Sequence, residues 1–239
     1  MRYADIVLEG TDYVATNVSY NRDLSPVAWQ DRELKLPVKV ALLRAAKFFT
    51  DYLDIPDFRV IDVVLTGSMA NYNYTKYSDF DLHVITRYSD LECDDLAEAF
   101  YRAKKSIWND KHDITIGGHD VELYVEDVEQ PPVSAGVYSL LQDRWLKQPD
   151  YSPPSIDDRA VNLKVADLIK QIDVAVDRAD DPEDIYRVTD KLRRMRRSGL
   201  DTTGEFGVEN LTFKVLRNLG YLDKLDQEYR RQQDQVISI

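Results

Sequence analysis

The chain has 239 residues, 44% of them hydrophobic and 31% charged, and a formal net charge of −12. That is enough for one large or two small domains with ample core. The acidity excludes a bulk nucleic-acid binder, whose affinity would come from neutralising phosphates, although a local basic groove stays compatible. Cys93 is the only cysteine, which excludes an intrachain disulfide and a cysteine-based zinc cluster, and no apolar run nears the roughly 20 residues that span a membrane. Met1–Glu9 is too short and too acidic for a signal peptide, so a cytoplasmic setting is expected.

Residues 1–33 carry no long periodic pattern and read as an N-terminal arm with a turn near Ser25-Pro26. From Pro37 to Leu53, Leu42, Ala45, Ala46, Phe49 and Leu53 recur at helical spacing. Val60–Thr66 is rich in β-branched residues and predicts a strand, with a short helix beginning at Ser68. A polar, Tyr-rich loop leads to a second strand, Asp79–Thr86. Ser89-Asp90-Leu91-Glu92 has the form of a capping box and opens a helix to about Asn109, with Leu96, Phe100, Ala103 and Ile107 on one face. Asp113–Ile116 and Asp120–Val125 flank Gly117-Gly118 and predict a hairpin. Val137–Leu141 and Arg144–Leu146 predict another, before a proline-rich linker over Lys147–Pro154.

The remainder is helical. Residues 156–178 carry Val161, Val165, Leu168, Ile169, Ile172 and Val176 on one stripe. Asp181-Pro182 starts a helix running to about Ser198, Gly204 and Gly207 break the chain, and residues 208–219 and 221–233 complete the set. The expected fold class is therefore α/β (α+β): a small mixed-sheet domain over 34–146 followed by an all-helical domain over 155–239.

Two apolar runs carry the chemistry. Val63-Val64-Leu65-Thr66 ends in Gly67-Ser68, and ten residues later Asp79-Phe80-Asp81-Leu82 opens the next run. Residues i and i+2 of a strand share a face, so Asp79 and Asp81 project together and can share hard cations such as Mg²⁺, which relieve their repulsion. Gly67 offers a side-chain-free approach and Ser68 a hydroxyl. A helix starting there would add a phosphate-binding N-terminus. Phosphate on one side and metal carboxylates on the other equip a site for phosphoryl or nucleotidyl transfer.

Gly-Ser, this gap and Asp-x-Asp within apolar strands resemble the signature of the DNA polymerase beta-like nucleotidyltransferase superfamily, over roughly residues 35–127. The wider phrasing, with Leu-Thr-Gly-Ser-Met-Ala-Asn-Tyr-Asn-Tyr, Tyr-Ser-Asp-Phe-Asp-Leu-His and Glu209–Arg217, is similar to small nucleotidyltransferase-domain proteins carried by tailed bacteriophages. The resemblance implies a third carboxylate on a later strand. Glu122 is the candidate, where many members have Asp. It further implies two Mg²⁺ or Mn²⁺ ions held by Asp79, Asp81 and Glu122, and an NTP whose β,γ-phosphates lie on Gly67 and Ser68. ATP is the family habit. The acceptor could be an RNA end, a protein hydroxyl or a small molecule, in the host cytoplasm if the chain is phage-encoded. The alternative reading is a catalytically silent protein of the same fold, acting as a phage accessory or structural factor or as an antitoxin-like binding module.

His83 shares the face of Asp81 and reads better as a strand histidine satisfied by hydrogen bonds. Tyr72, Tyr74 and Tyr77 could stack on a base or pack on neighbouring helices, and Lys76 reads as solvated. Lys191–Arg197 is the one basic cluster. Arg193 and Arg197, spaced i and i+4, either balance the acidic residues Asp180–Asp184 on a solvated helix or clamp a triphosphate or a phosphate-bearing acceptor.

Overall fold

The structure is a computed structural model that describes residues 11–90, 94–130, 132, 134–179 and 181–238. Its contacts divide the chain into two units: Tyr20–Ser152, and Met1–Ser19 together with Pro153–Ile239. Cys93, part of the Ser89–Glu92 motif and Asp180 lie outside the described residues.

The first unit begins with a small hairpin, β1 (Trp29–Gln30) and β2 (Glu33–Leu34), whose turn places Asp31 and Arg32 at positive φ. Helix α2 (Leu36–Leu53) follows, α1 (Tyr13–Asn17) belonging to the other unit. Its buried stripe is Val38, Leu42, Ala45, Ala46, Phe49 and Leu53, the expected spacing with Val38 added, and Asp54 ends it in the left-handed conformation. Strands β3 (Asp62–Thr66), β4 (Phe80–Thr86), β5 (Thr115–Ile116), β6 (His119–Asp127), β7 (Val137–Ser139) and β8 (Arg144–Lys147) form one sheet in the order β5-β6-β4-β3-β7-β8. β4 runs parallel to β6 and antiparallel to β3, so the sheet is mixed as expected. Gly117 and Gly118 both take positive φ in the β5–β6 turn, the conformation a two-residue hairpin loop demands.

Alternation divides the sheet into two faces. Val63, Leu65, Phe80, Leu82, Val84, Val121, Leu123 and Val125 join one core with the α2 stripe. Fully burying a side chain such as Phe80 or Leu82 contributes about 1.5–3 kcal/mol. Helix α3 (Asp94–Lys111) completes this core, but not through the expected face. Leu96, Phe100 and Ile107 are exposed, whereas Ala97, Tyr101 and Trp108 are buried. The reason is aromatic: Trp108 meets Phe49 at 5.5 Å and Tyr52 at 5.2 Å between ring centroids, and Tyr101 meets Tyr88 at 5.1 Å.

The second unit gathers α1, α4 (Asp158–Arg178), α5 (Pro182–Thr202), α6 (Val208–Asn218) and α7 (Tyr221–Ile237) around a separate core. Val161, Val165, Leu168, Ile169 and Ile172 of α4 are buried there, as are Ile185 and Leu192 of α5. The Asp181 side chain caps α5 by accepting from the Glu183 N–H, with Pro182 in the first turn. Tyr13 and Val14 bury in this core, and Asn162 accepts from the Val14 N–H at 3.1 Å. That packing is why α1 groups with the helices. A mixed-sheet domain followed by a helical one is thus borne out. No helix among the described residues is long and apolar enough to cross a membrane.

Candidate active site

The sheet face away from the core carries the sequence motifs. Thr66 on β3, Asp81 on β4 and Glu122 on β6 are register partners across three adjacent strands. The next row holds Val64, His83 and Tyr124. Asp79 precedes β4 by one residue, and Asp79, Asp81 and Glu122 are all half-buried.

Gly67 leaves β3 at φ 70° and ψ −159°, a conformation open essentially only to glycine. The Asp81 carboxylate rests against it, and a Cβ at Gly67 would overlap Asp81 Oδ2. The Gly67 N–H donates to Ser134 Oγ at 3.3 Å. The Ser68 hydroxyl donates to Ser78 Oγ at 2.8 Å, and Ser78 Oγ accepts from the Thr75 N–H. The Gly-Ser turn is therefore tied to the residue that immediately precedes Asp79. The expected helix at Ser68 is only one 3₁₀ turn, Ser68–Ala70. Met69 and Ala70 are fully buried there, the Trp29 indole donates to the Met69 carbonyl at 2.7 Å, and the chain extends at Asn71. One turn has no aligned macrodipole to offer a phosphate.

Glu122 has two close neighbours, Tyr124 and Lys105. The Tyr124 hydroxyl donates to its Oε2 at 2.5 Å. Lys105, from α3, places Nζ 3.9 Å from the same oxygen and 3.7 Å from the centroid of the Tyr124 ring. Burial pulls the Lys105 pKa below the ordinary lysine value, against the charges of Glu122, Asp81 and Glu126. Burial likewise raises Tyr124, aided by Asp81, by Glu122 and its hydrogen bond, and by Asp79. All three candidate carboxylates thus act on one phenol, which stays protonated.

His83 is buried and stacks on Tyr124, with centroids 4.5 Å apart and planes 10° from parallel. Its Nδ1 lies 3.3 Å from Glu126 Oε1 without the alignment of a hydrogen bond. Tyr72 is buried against Tyr20 and Tyr151 and its hydroxyl accepts from Arg32, so it packs rather than stacks on a ligand. Tyr77 is exposed with Lys76 over its ring at 4.8 Å.

Arg193 and Arg197 lie exposed on α5, in the helical unit. Arg193 lines a cavity of about 380 Å³ together with Tyr186, Phe213 and Tyr229. Arg194 pairs with Asp190 at 2.9 Å, and Arg196 lies over the Phe213 ring at 4.7 Å.

Among the described residues, no group of three or more His, Cys, Asp or Glu side chains is arranged to hold a metal ion. Mg²⁺ needs no such cage, since it binds through one or two carboxylates plus substrate phosphates and water. Asp79 and Asp81 are the residues that would hold such an ion; Glu122 accepts from Tyr124 and pairs with Lys105.

No family model matches the chain, and no curated protein matches it. Among solved structures it is similar to the STING-associated CdnE c-di-GMP synthase from Capnocytophaga granulosa. The two share 14% identity over 84% of each chain, with a TM-score of 0.21. A likeness at that level carries no argument, and the functional reading stands on the residues above.

Proposed function

We propose that the chain is a metal-dependent nucleotidyltransferase that moves an NMP from an NTP to a hydroxyl acceptor. The observation that carries the reading is the row Thr66–Asp81–Glu122, with Gly67 pressed against Asp81. It sets the Gly67-Ser68 turn directly beside the Asp81 carboxylate. Asp79 and Asp81 would hold Mg²⁺ or Mn²⁺ arriving with the triphosphate. When bound, the ion neutralises the phosphates and polarises the α-phosphoryl group. Gly67 and Ser68 are assigned to the β,γ-phosphates, which would take over the Gly67 N–H from Ser134 Oγ and the Ser68 hydroxyl from Ser78 Oγ. Glu122 takes the proton of the acceptor hydroxyl as its oxygen bonds to the α-phosphorus. The bond from the α-phosphorus to the bridging oxygen breaks, and pyrophosphate leaves with that electron pair. Arg193 and Arg197, in the helical unit, are assigned to a phosphate-bearing ligand of that unit. ATP is the nucleotide of choice, and an RNA end, a protein hydroxyl or a small molecule is the acceptor class.

The test is incubation with Mg²⁺, a cell extract and NTPs labelled with ³²P at either the α or the γ position. Label should pass to an acceptor from the α position only, and Asp81→Asn should abolish it. Transfer from the γ position would make the enzyme a kinase, and no transfer with any NTP would remove the activity.

A further inference from the structure

Lys105 is held on three sides. Its stem leaves α3, its ammonium lies 3.7 Å over the Tyr124 ring, and Glu122 Oε2 stands 3.9 Å away. A half-buried ammonium over an aromatic face is stabilised by the ring quadrupole as well as by the carboxylate. The Tyr124 hydroxyl takes the same oxygen of Glu122 at 2.5 Å. That carboxylate is thus already neutralised and hydrogen-bonded by the protein. Among the described residues no three-ligand metal group forms around it. A divalent ion brought to Glu122 would have to share a carboxylate whose Oε2 is already taken and approach an ammonium of like sign.

We propose that Lys105 supplies the positive charge at Glu122, so that the centre takes one divalent ion, on Asp79 and Asp81, rather than two. Lys105 is a positioning residue: it fixes and neutralises Glu122 while the single ion travels with the nucleotide. The inference rests on the nucleotidyltransferase reading and sharpens its metal content.

Electron paramagnetic resonance of free Mn²⁺ counts the ions bound by the full chain with α,β-methylene ATP, and with the GTP analogue in parallel. The proposal requires one Mn²⁺ per bound nucleotide in the wild type and in Lys105→Arg. Lys105→Met should admit a second ion, and adding Glu122→Gln should remove it again. Glu122→Gln alone should leave Mn²⁺ affinity nearly unchanged. Two ions in the wild type would overturn the proposal. So would a loss of about tenfold or more in Glu122→Gln, the range reached when even a group that only orients metal ligands is removed. The Glu122→Gln comparison decides even if Lys105→Met does not fold. Absence of any nucleotide binding would instead sink the nucleotidyltransferase reading itself, which keeps the two failures distinct.

Discussion

At the scale of single residues, Gly67 joins the strand motif to the carboxylates. Any side chain there must both adopt a backbone region open to glycine and displace Asp81. Gly67→Ala should therefore cost about 1–3 kcal/mol in urea unfolding and abolish transfer. An alanine variant of wild-type stability and activity would show that the close approach is dispensable. The pairing of Gly67-Ser68 with Asp79 and Asp81 was legible in the sequence, because strand alternation fixes which residues share a face. Glu122 is a candidate only because the resemblance implies a third carboxylate; on β6 it lies on the face opposite Val121, Leu123 and Val125, which take the core side. Ser78, Ser134, Tyr124 and Lys105 went unassigned to the site. Lys105 reads in the sequence as one of several basic residues on a charged helix, beside Arg102 and Lys104, and only tertiary packing sets it over Tyr124. Ser134 reaches Gly67 from 67 residues away in sequence, beyond any local pattern.

Among the elements, α3 shows how a periodic pattern can select the wrong face. Leu96, Phe100 and Ile107 recur at helical spacing, but the aromatic residues offset by one carry the core. Trp108→Ala should destabilise the protein by about 3–5 kcal/mol. Leu96→Ala, at 63% exposure, should change stability by no more than about 0.5 kcal/mol, with chemical unfolding as the measure. Equal losses would restore the leucine face. The β1–β2 hairpin was not legible because Asp31 and Arg32 take positive φ in place of the usual Gly or Asn, so no turn signal marks it. Helix α5 was placed correctly from its Asp-Pro start; Ile185, Val188, Leu192 and Met195 pack on the helical core, which leaves Arg193 and Arg197 for ligand or solvent. If they grip a phosphate, Arg193→Glu with Arg197→Glu should weaken nucleotide or acceptor binding by about 2–4 kcal/mol, less at high salt. On a merely solvated helix the pair should change stability by under about 1 kcal/mol and leave transfer intact. A nucleotide titration at two salt concentrations separates these outcomes.

For the whole molecule, charge sets the terms of binding. A chain of net charge −12 repels a polyanionic nucleotide, so the NTP must be received locally and with a cation that offsets both its phosphates and the acidic pair. The two units each bury their own core, which lets the sheet face be altered without touching the helical core. Neutralising Asp79 and Asp81 should accordingly leave the fold intact. The most direct test of the central claim is calorimetric titration of the full chain with α,β-methylene ATP, with and without Mg²⁺. The wild type should bind only when Mg²⁺ is present, and a folded Asp79→Asn, Asp81→Asn variant should not bind. Equal heats from the wild type and the double variant would contradict a metal–nucleotide site on this pair.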